Sequence, residues 1–223
     1  MTQSRPHALP QGFFIVFEGL DGAGKTTQVH LLVTRLQQCG YDVVRLKEPT
    51  NGHWGQKIRH LAQHGRQHVS LETELSWFLE DRRQDVAENI KPALARGQIV
   101  VLDRYYFSTM AYQGARGGDP HRIRQLNEAF APPPDLLFLL DIAPAQGLQR
   151  VQQQRVPDEF ERLDYLERVA ALFAQMDFNY LQRIPATLPP DVVHTRIWQA
   201  VQTALAQRQQ PDQHGRVREI HEQ

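Results

Sequence analysis

Residues Gly19-Leu20-Asp21-Gly22-Ala23-Gly24-Lys25-Thr26 match the pattern G-x-x-x-x-G-K-[ST] at every fixed position. That pattern gains meaning from its flanks, which must be a buried strand before it and a helix after it. Phe13-Phe14-Ile15-Val16-Phe17 supplies an unbroken apolar run on one side, and Thr26-Thr27-Gln28-Val29-His30-Leu31-Leu32 a helical pattern on the other. Glycines at Gly19, Gly22 and Gly24 let the backbone wrap close, so that successive N–H groups form an anion nest. The helix start adds the positive end of its dipole. In such a loop Lys25 reaches the β- and γ-phosphates of a nucleotide, and the Thr26 hydroxyl joins a Mg²⁺ shell. The alternative, a Gly-rich turn without a ligand, is disfavoured by the full motif in its full context.

The rest of the chain reads as one α/β domain. Short apolar runs alternate with longer helical patterns, which implies parallel strands joined by crossovers. Strands are expected at 13–17, 43–46, 99–102 and 136–140. The last two are apolar throughout, as when helices cover both faces of a sheet. Helices are expected at 26–38 (ending at Gly40), weakly at 55–63, at 71–96 with a kink at Pro92, and at 107–113. Further helices are expected at 122–130, 144–154, 162–182 and 190–207. Residues 1–11 read as a loose arm, 12–207 as the domain, and 208–223 as a frayed tail. The 223 residues carry a formal net charge of zero, so neither nucleic acid nor a membrane surface is an expected partner. One cysteine, Cys39, leaves no internal disulfide and suits the cytosol. No apolar run approaches the roughly 20 residues of a membrane span. The ten histidines show no ligand spacing of a transition-metal site.

Ligands of open parallel sheets sit beyond the carboxyl ends of the strands. Four stretches occupy those ends: Gly19–Thr26, Lys47-Glu48-Pro49-Thr50, Asp103-Arg104-Tyr105 and Asp141. Asp103 fits an acid that holds Mg²⁺ through water, and Arg104 a cation that bridges phosphates. A structural ion pair is the alternative. Glu48 before Pro49 orients an acceptor or a metal, or simply makes a turn. Phe78 and Arg82 lie one helical turn apart. They stack on and hydrogen-bond a base, or they are a core Phe beside an Arg whose stem lies on apolar surface. Thr109 and Gln113 form a second i, i+4 pair, either reading a base edge or lying on a solvated face. Arg150, Arg155 and Arg162 stand in a segment that reads as a mobile phosphate cover or as charged surface.

With these pieces placed, the chain resembles the thymidylate kinase family of nucleoside monophosphate kinases from about Phe13 to Gln175. The P-loop is generic. More specific are Phe78-Leu79-Glu80-Asp81-Arg82 and Asp103-Arg104-Tyr105…Ser108…Ala111-Tyr112-Gln113-Gly114, with Glu48-Pro49 and Asp158-Glu159-Phe160-Glu161. The resemblance implies a P-loop NTPase fold, a central parallel sheet flanked by helices, and phosphorylation of dTMP to dTDP with ATP and Mg²⁺. Gly19, Leu20, Asp21, Gly22, Ala23, Gly24, Lys25, Thr26 and Thr27 would hold the donor, with Thr26 and Asp103 at the metal. Arg59 and Arg104 would hold the acceptor phosphate, with Glu48 beside it. Phe78 would stack on thymine, and Arg82, Thr109 and Gln113 would meet its edge. Tyr105 would pack under the deoxyribose. Relatives are cytosolic and commonly homodimeric.

Three departures stand out. Thr50-Asn51 follows Glu48-Pro49 where the family usually has glycine. Glu159 stands where many relatives have Arg. Between Tyr180 and Ala186 the chain is shorter, with Ile184-Pro185 where a final strand belongs. No Arg occupies the variable P-loop positions, so a lid at about 150–162 would supply one, Arg155 first and Arg150 second. The alternatives are a kinase for another pyrimidine monophosphate, a nucleotide-binding regulatory module, or a degenerate kinase kept as a scaffold. The N/T-K-x-D motif of GTPase switches is absent, and intact Lys25, Asp103 and Arg104 oppose the scaffold.

Overall fold

A computed structural model describes residues 8–158 and 160–209. Five parallel strands form one sheet: β1 (Phe13–Glu18), β2 (Val43–Lys47), β3 (Ile99–Asp103), β4 (Leu136–Asp141) and β5 (Leu181–Pro185). Their spatial order is β2-β3-β1-β4-β5. Every residue of β1 and β3 is buried, which explains why both read as unbroken apolar runs. The register pairs Phe17 with Asp103 and Phe138, and Lys47 with Asp103. The carboxyl ends of four strands therefore reach one rim, where the polar stretches gather.

The helices are α1 (Lys25–Gln38), α2 (His53–His64), α3 (Leu71–Asp85), α4 (Lys91–Ala95), α5 (Tyr106–Ala115), α6 (Pro120–Glu128), α7 (Pro144–Gln152), α8 (Leu163–Ala174) and α9 (Pro190–Gln209). The helix expected at 71–96 divides at a π turn, Val86–Ile90, that leads into Pro92. Proline lacks an N–H and crowds the carbonyl four residues back, and one wide turn relieves both. Ser70 caps α3 by accepting from Thr73 N–H, as its sequence position implied. Among the described residues no helix is long and apolar enough to cross a membrane.

Three expectations change. The helix predicted at 162–182 stops at Ala174, and the shortened segment that holds Ile184-Pro185 keeps a full strand, Leu181–Pro185. β5 pairs with β4 from Leu137–Leu181 to Asp141–Pro185. It lies at the sheet edge with Gln182 and Arg183 exposed, so it lacks an apolar signature, and an edge tolerates a terminal proline. At the other end of the chain, Leu9 N–H donates to Gly97 O at 2.8 Å, so the expected loose arm is tied down from residue 9. Residues 1–7 and 210–223, most of the arm and the tail, lie outside the described residues.

Candidate active site

The loop between β1 and α1 is shaped by close backbone approach. Gly22 has φ 78°, and a Cβ there would lie 2.2 Å from Gly147 O on α7. A side chain is excluded twice, by conformation and by space. Gly24 caps α1 with no side-chain hydrogen bond, so the first N–H groups of the helix remain available to an anion. Lys25 folds back along the loop, donating to Gly19 O at 3.0 Å and Leu20 O at 2.8 Å. Burial and then Arg104 push its pKa down to about 8, against Asp21, Asp103 and Glu18. A polyphosphate in the loop would supply the missing counter-charge.

Arg104 follows β3 with φ 72°, a left-handed conformation unusual for a side-chain-bearing residue. Such strain persists where surroundings over-determine it, typically at functional sites. Its N–H donates to Phe17 O at 2.9 Å. Its guanidinium donates to Asp21 Oδ1 at 2.5 Å, Ser108 Oγ at 2.9 Å and Gly19 O at 3.3 Å. Burial works to raise the Asp21 carboxyl, but Arg104 and Lys25 outweigh it and hold it well below the usual carboxylate range. Glu18 fixes the corner beneath. It accepts from Tyr105 N–H at 2.8 Å, Ser108 N–H at 3.0 Å and Ser108 Oγ at 2.5 Å, placing a carboxylate at the start of α5. The sequence offered one clue to Glu18, an acid directly after an apolar strand.

Thr26 Oγ1 donates to Asp103 Oδ2 at 2.7 Å. Asp103 is buried, and its Oδ1 has no partner among the described residues. An orphaned acceptor beside the phosphate loop fits a hard cation or the water bound to one. These two residues are therefore suited to Mg²⁺.

Beyond Arg104 opens a cavity of about 570 Å³, within the usual range of small-molecule sites. Phe78, Tyr112 and Gln113 line it together with Lys47, Glu48 and Arg59. Arg59 donates to Pro49 O at 3.0 Å. At the departure after Glu48-Pro49, Thr50 donates to Asp81 through N–H at 2.8 Å and Oγ1 at 2.6 Å, which ties this loop to α3. Phe78, Gln113, Arg59, Glu48, Arg104 and Asp21 thus meet at one cavity.

Arg82, Thr109 and Tyr105 do not line it. Arg82 is 2 % exposed and donates to Glu48 Oε2 at 2.8 Å, Asn127 Oδ1 at 2.6 Å and Thr109 Oγ1 at 3.2 Å. It lies under the floor as a brace on Glu48. Burial pushes the Glu48 carboxyl up to about 8, against Arg82. Tyr105 has no exposed surface, and its hydroxyl donates to Pro132 O. Tyr105, expected under the deoxyribose, does not line the cavity, whereas Tyr112 does, its ring 5.3 Å from the Arg104 guanidinium. Both tyrosines follow β3, and the packing of α5 decides which of them reaches the cavity.

Residues 155–158 and Phe160 also border the cavity. Arg155 makes a two-pronged pair with buried Glu161, at 2.7 and 2.6 Å. Burial and then Glu161 raise the Asp158 carboxyl to about 6. Arg150 instead donates to Gly22 O at 3.2 Å and Ala186 O at 3.1 Å, clamping the phosphate loop from behind. Arg162 lies on the surface near Asp164. Glu159 lies outside the described residues.

The family model described as thymidylate kinase matches residues 17–197. A thymidylate kinase of Xanthomonas campestris pv. campestris (strain B100) is 46 % identical over 200 residues, covering 89 % of this chain and 87 % of that protein. One from Desulfotalea psychrophila (strain LSv54 / DSM 12343) is 44 % identical over 196 residues, covering 87 % and 96 %. The crystal structure of thymidylate kinase from Ehrlichia chaffeensis superposes with a TM-score of 0.69 at 30 % identity, covering 86 % of this chain and all of that one. The chain belongs to the thymidylate kinase family.

Proposed function

We infer that this chain transfers the γ-phosphoryl group of ATP to dTMP, giving dTDP and ADP. The observation that carries this is Arg104. It joins the phosphate loop, through Asp21 and Gly19, to a cavity lined by Phe78 and Gln113. A phosphate-binding loop and a pocket of nucleotide size thus share one strained cation. An oxygen of the acceptor phosphate forms the new bond to the γ-phosphorus. The bond to the β–γ bridging oxygen breaks, and its electron pair leaves with ADP.

The protein contributes position and charge rather than a covalent intermediate. Loop N–H groups and Lys25 would hold the donor phosphates. Arg59 and Arg104 would hold the acceptor phosphate, Phe78 would stack on the base, and Gln113 would meet its edge. Tyr112, by its place in the wall, would take the position beside the sugar. Segment 150–162 would act as a lid that brings Arg155 toward the transferring group. When bound at Thr26 and Asp103, Mg²⁺ would neutralise charge on the phosphate oxygens. A homodimer and a cytosolic location follow the family pattern and stand as proposals, the first tested by sedimentation of the purified protein.

Lys25→Ala tests the function directly. It is expected to abolish ADP release with dTMP while leaving the circular dichroism unchanged. Near-wild-type turnover with an intact fold would contradict it.

A further inference from the structure

Glu74 is a carboxylate with no exposed surface, on the helix that carries Phe78. It faces Gln113 across the contact of α3 with α5. Gln113 Nε2 donates to Glu74 Oε1 at 2.8 Å. Arg116 Nη1 donates to the other oxygen, Oε2, and Arg66 Nη1 lies 3.7 Å from Oε1. Arg116 is held in turn by Val69 O at 2.5 Å. Gln113 is itself without exposed surface, lines the cavity, and has an Oε1 with no partner among the described residues.

An amide has a donor end and an acceptor end, which a half-turn exchanges. A carboxylate between two guanidiniums only accepts. Glu74 therefore requires the NH₂ of Gln113, and the amide oxygen becomes the end left for a ligand. A buried acceptor without a partner favours a ligand that brings a donor and rejects one that brings a lone pair. Arg82, with its donors directed to Glu48, Asn127 and Thr109, does not line this part of the cavity.

We propose that Glu74 sets base choice by holding the Gln113 amide with its acceptor toward the bound base. The group selected is an imide N–H, as at N3 of thymine. Cytosine presents a lone pair at that position and is refused. Glu74 touches no substrate, so it is a positioning residue. The proposal rests on dTMP occupying this cavity and names what fixes its orientation and specificity there.

The test uses dissociation constants for dTMP, N3-methyl-dTMP and dCMP, measured by calorimetry on the wild type, Glu74→Gln, Gln113→Ala and the double variant. The wild type should prefer dTMP to both others. In Glu74→Gln a neutral amide accepts either face of Gln113, and the dTMP/dCMP preference should fall about tenfold or more. The double variant should show the same preference as Gln113→Ala alone, because Glu74 acts through Gln113. A Glu74→Gln protein that keeps the preference within about twofold would overturn the proposal. So would a further drop in preference when Glu74→Gln is added to Gln113→Ala. Should Glu74→Gln not fold, equal wild-type affinity for dTMP and N3-methyl-dTMP overturns it independently. A wild type that binds in the stated order yet releases no ADP supports this proposal and contradicts the kinase function.

Discussion

Lys25 illustrates what a single buried charge does in this chain. Its pKa is lowered to about 8 by burial first, while an unfolded lysine titrates near 10.4. Below pH 8 the ligand-free fold carries a buried cation at a disadvantage. Between pH 8 and 10.5 the unfolded state binds more protons, so stability rises with pH across that window. Lys25→Met is therefore expected to melt at or above the wild-type temperature at pH 7, with any gain shrinking toward pH 10. Thermal melts at a series of pH values check this, and a gain that grows with pH would contradict it. Phe78 makes a second residue-scale case. Base–aromatic stacking is worth about 1–3 kcal/mol, so Phe78→Ala should raise the KM for dTMP roughly tenfold or more. An unchanged KM would make Phe78 a packing residue only. The partners of several residues that complete the site are not legible in the sequence, and the reason is common to them. Glu18, Glu74 and Tyr112 acquire their roles from partners distant in the chain: Glu18 from Ser108, Glu74 from Gln113, Tyr112 from the cavity wall. A carboxylate shows no distinctive spacing when its partner sits on another element.

At the scale of elements, a fully buried strand shows itself as an unbroken apolar run, and even the half-buried β2 keeps enough apolar residues to be recognised. β1 and β3 are buried throughout and their apolar runs mark them to within a residue, whereas the half-exposed edge strand β5 has no apolar run to mark it. The phosphate loop was legible because its glycines answer to local geometry, and its packing on α7 yields a prediction. Gly24→Ala meets no atom within 4 Å and suffers mainly its left-handed conformation, about 1–2 kcal/mol. Gly22→Ala adds a collision with Gly147 O, and overpacking costs about 1–3 kcal/mol more. Denaturant titrations should rank Gly22→Ala as the less stable, and equal stabilities would contradict the packing of loop on α7. The proposed lid segment is the other element with a measurable consequence. Arg155 borders the cavity and is steered by Glu161, whereas Arg150 is engaged behind the phosphate loop. Arginine fingers in this chemistry are worth about 10³–10⁵ in kcat. Arg155→Ala should lower kcat far more than it raises the KM for dTMP. A kcat within about threefold of wild type would leave the lid as a cover alone.

Over the whole molecule, one sheet brings four polar strand ends to a single rim, and the fold's contribution to function is that convergence. Register does the work: Phe17 pairs with Asp103, and Lys47 pairs with Asp103 on its other side. The phosphate loop, the metal-suited Asp103 and the Glu48 turn are thereby neighbours, though 85 residues separate Gly19 from Arg104 where they touch. The sequence showed which stretches would end strands, and the rule that ligands lie beyond carboxyl ends placed them together. Which of the flanking side chains face the cavity was beyond that rule, because it depends on the packing of α3, α5 and the lid. The most direct measurement is ADP release from ATP in the presence of Mg²⁺, coupled to a spectrophotometric readout, over a panel of nucleoside monophosphates. Turnover with dTMP is expected at a kcat/KM at least about tenfold above that with dCMP, in line with a polar group left unpaired by the wrong base. Release of ADP with no monophosphate preference, or none with dTMP, would contradict it.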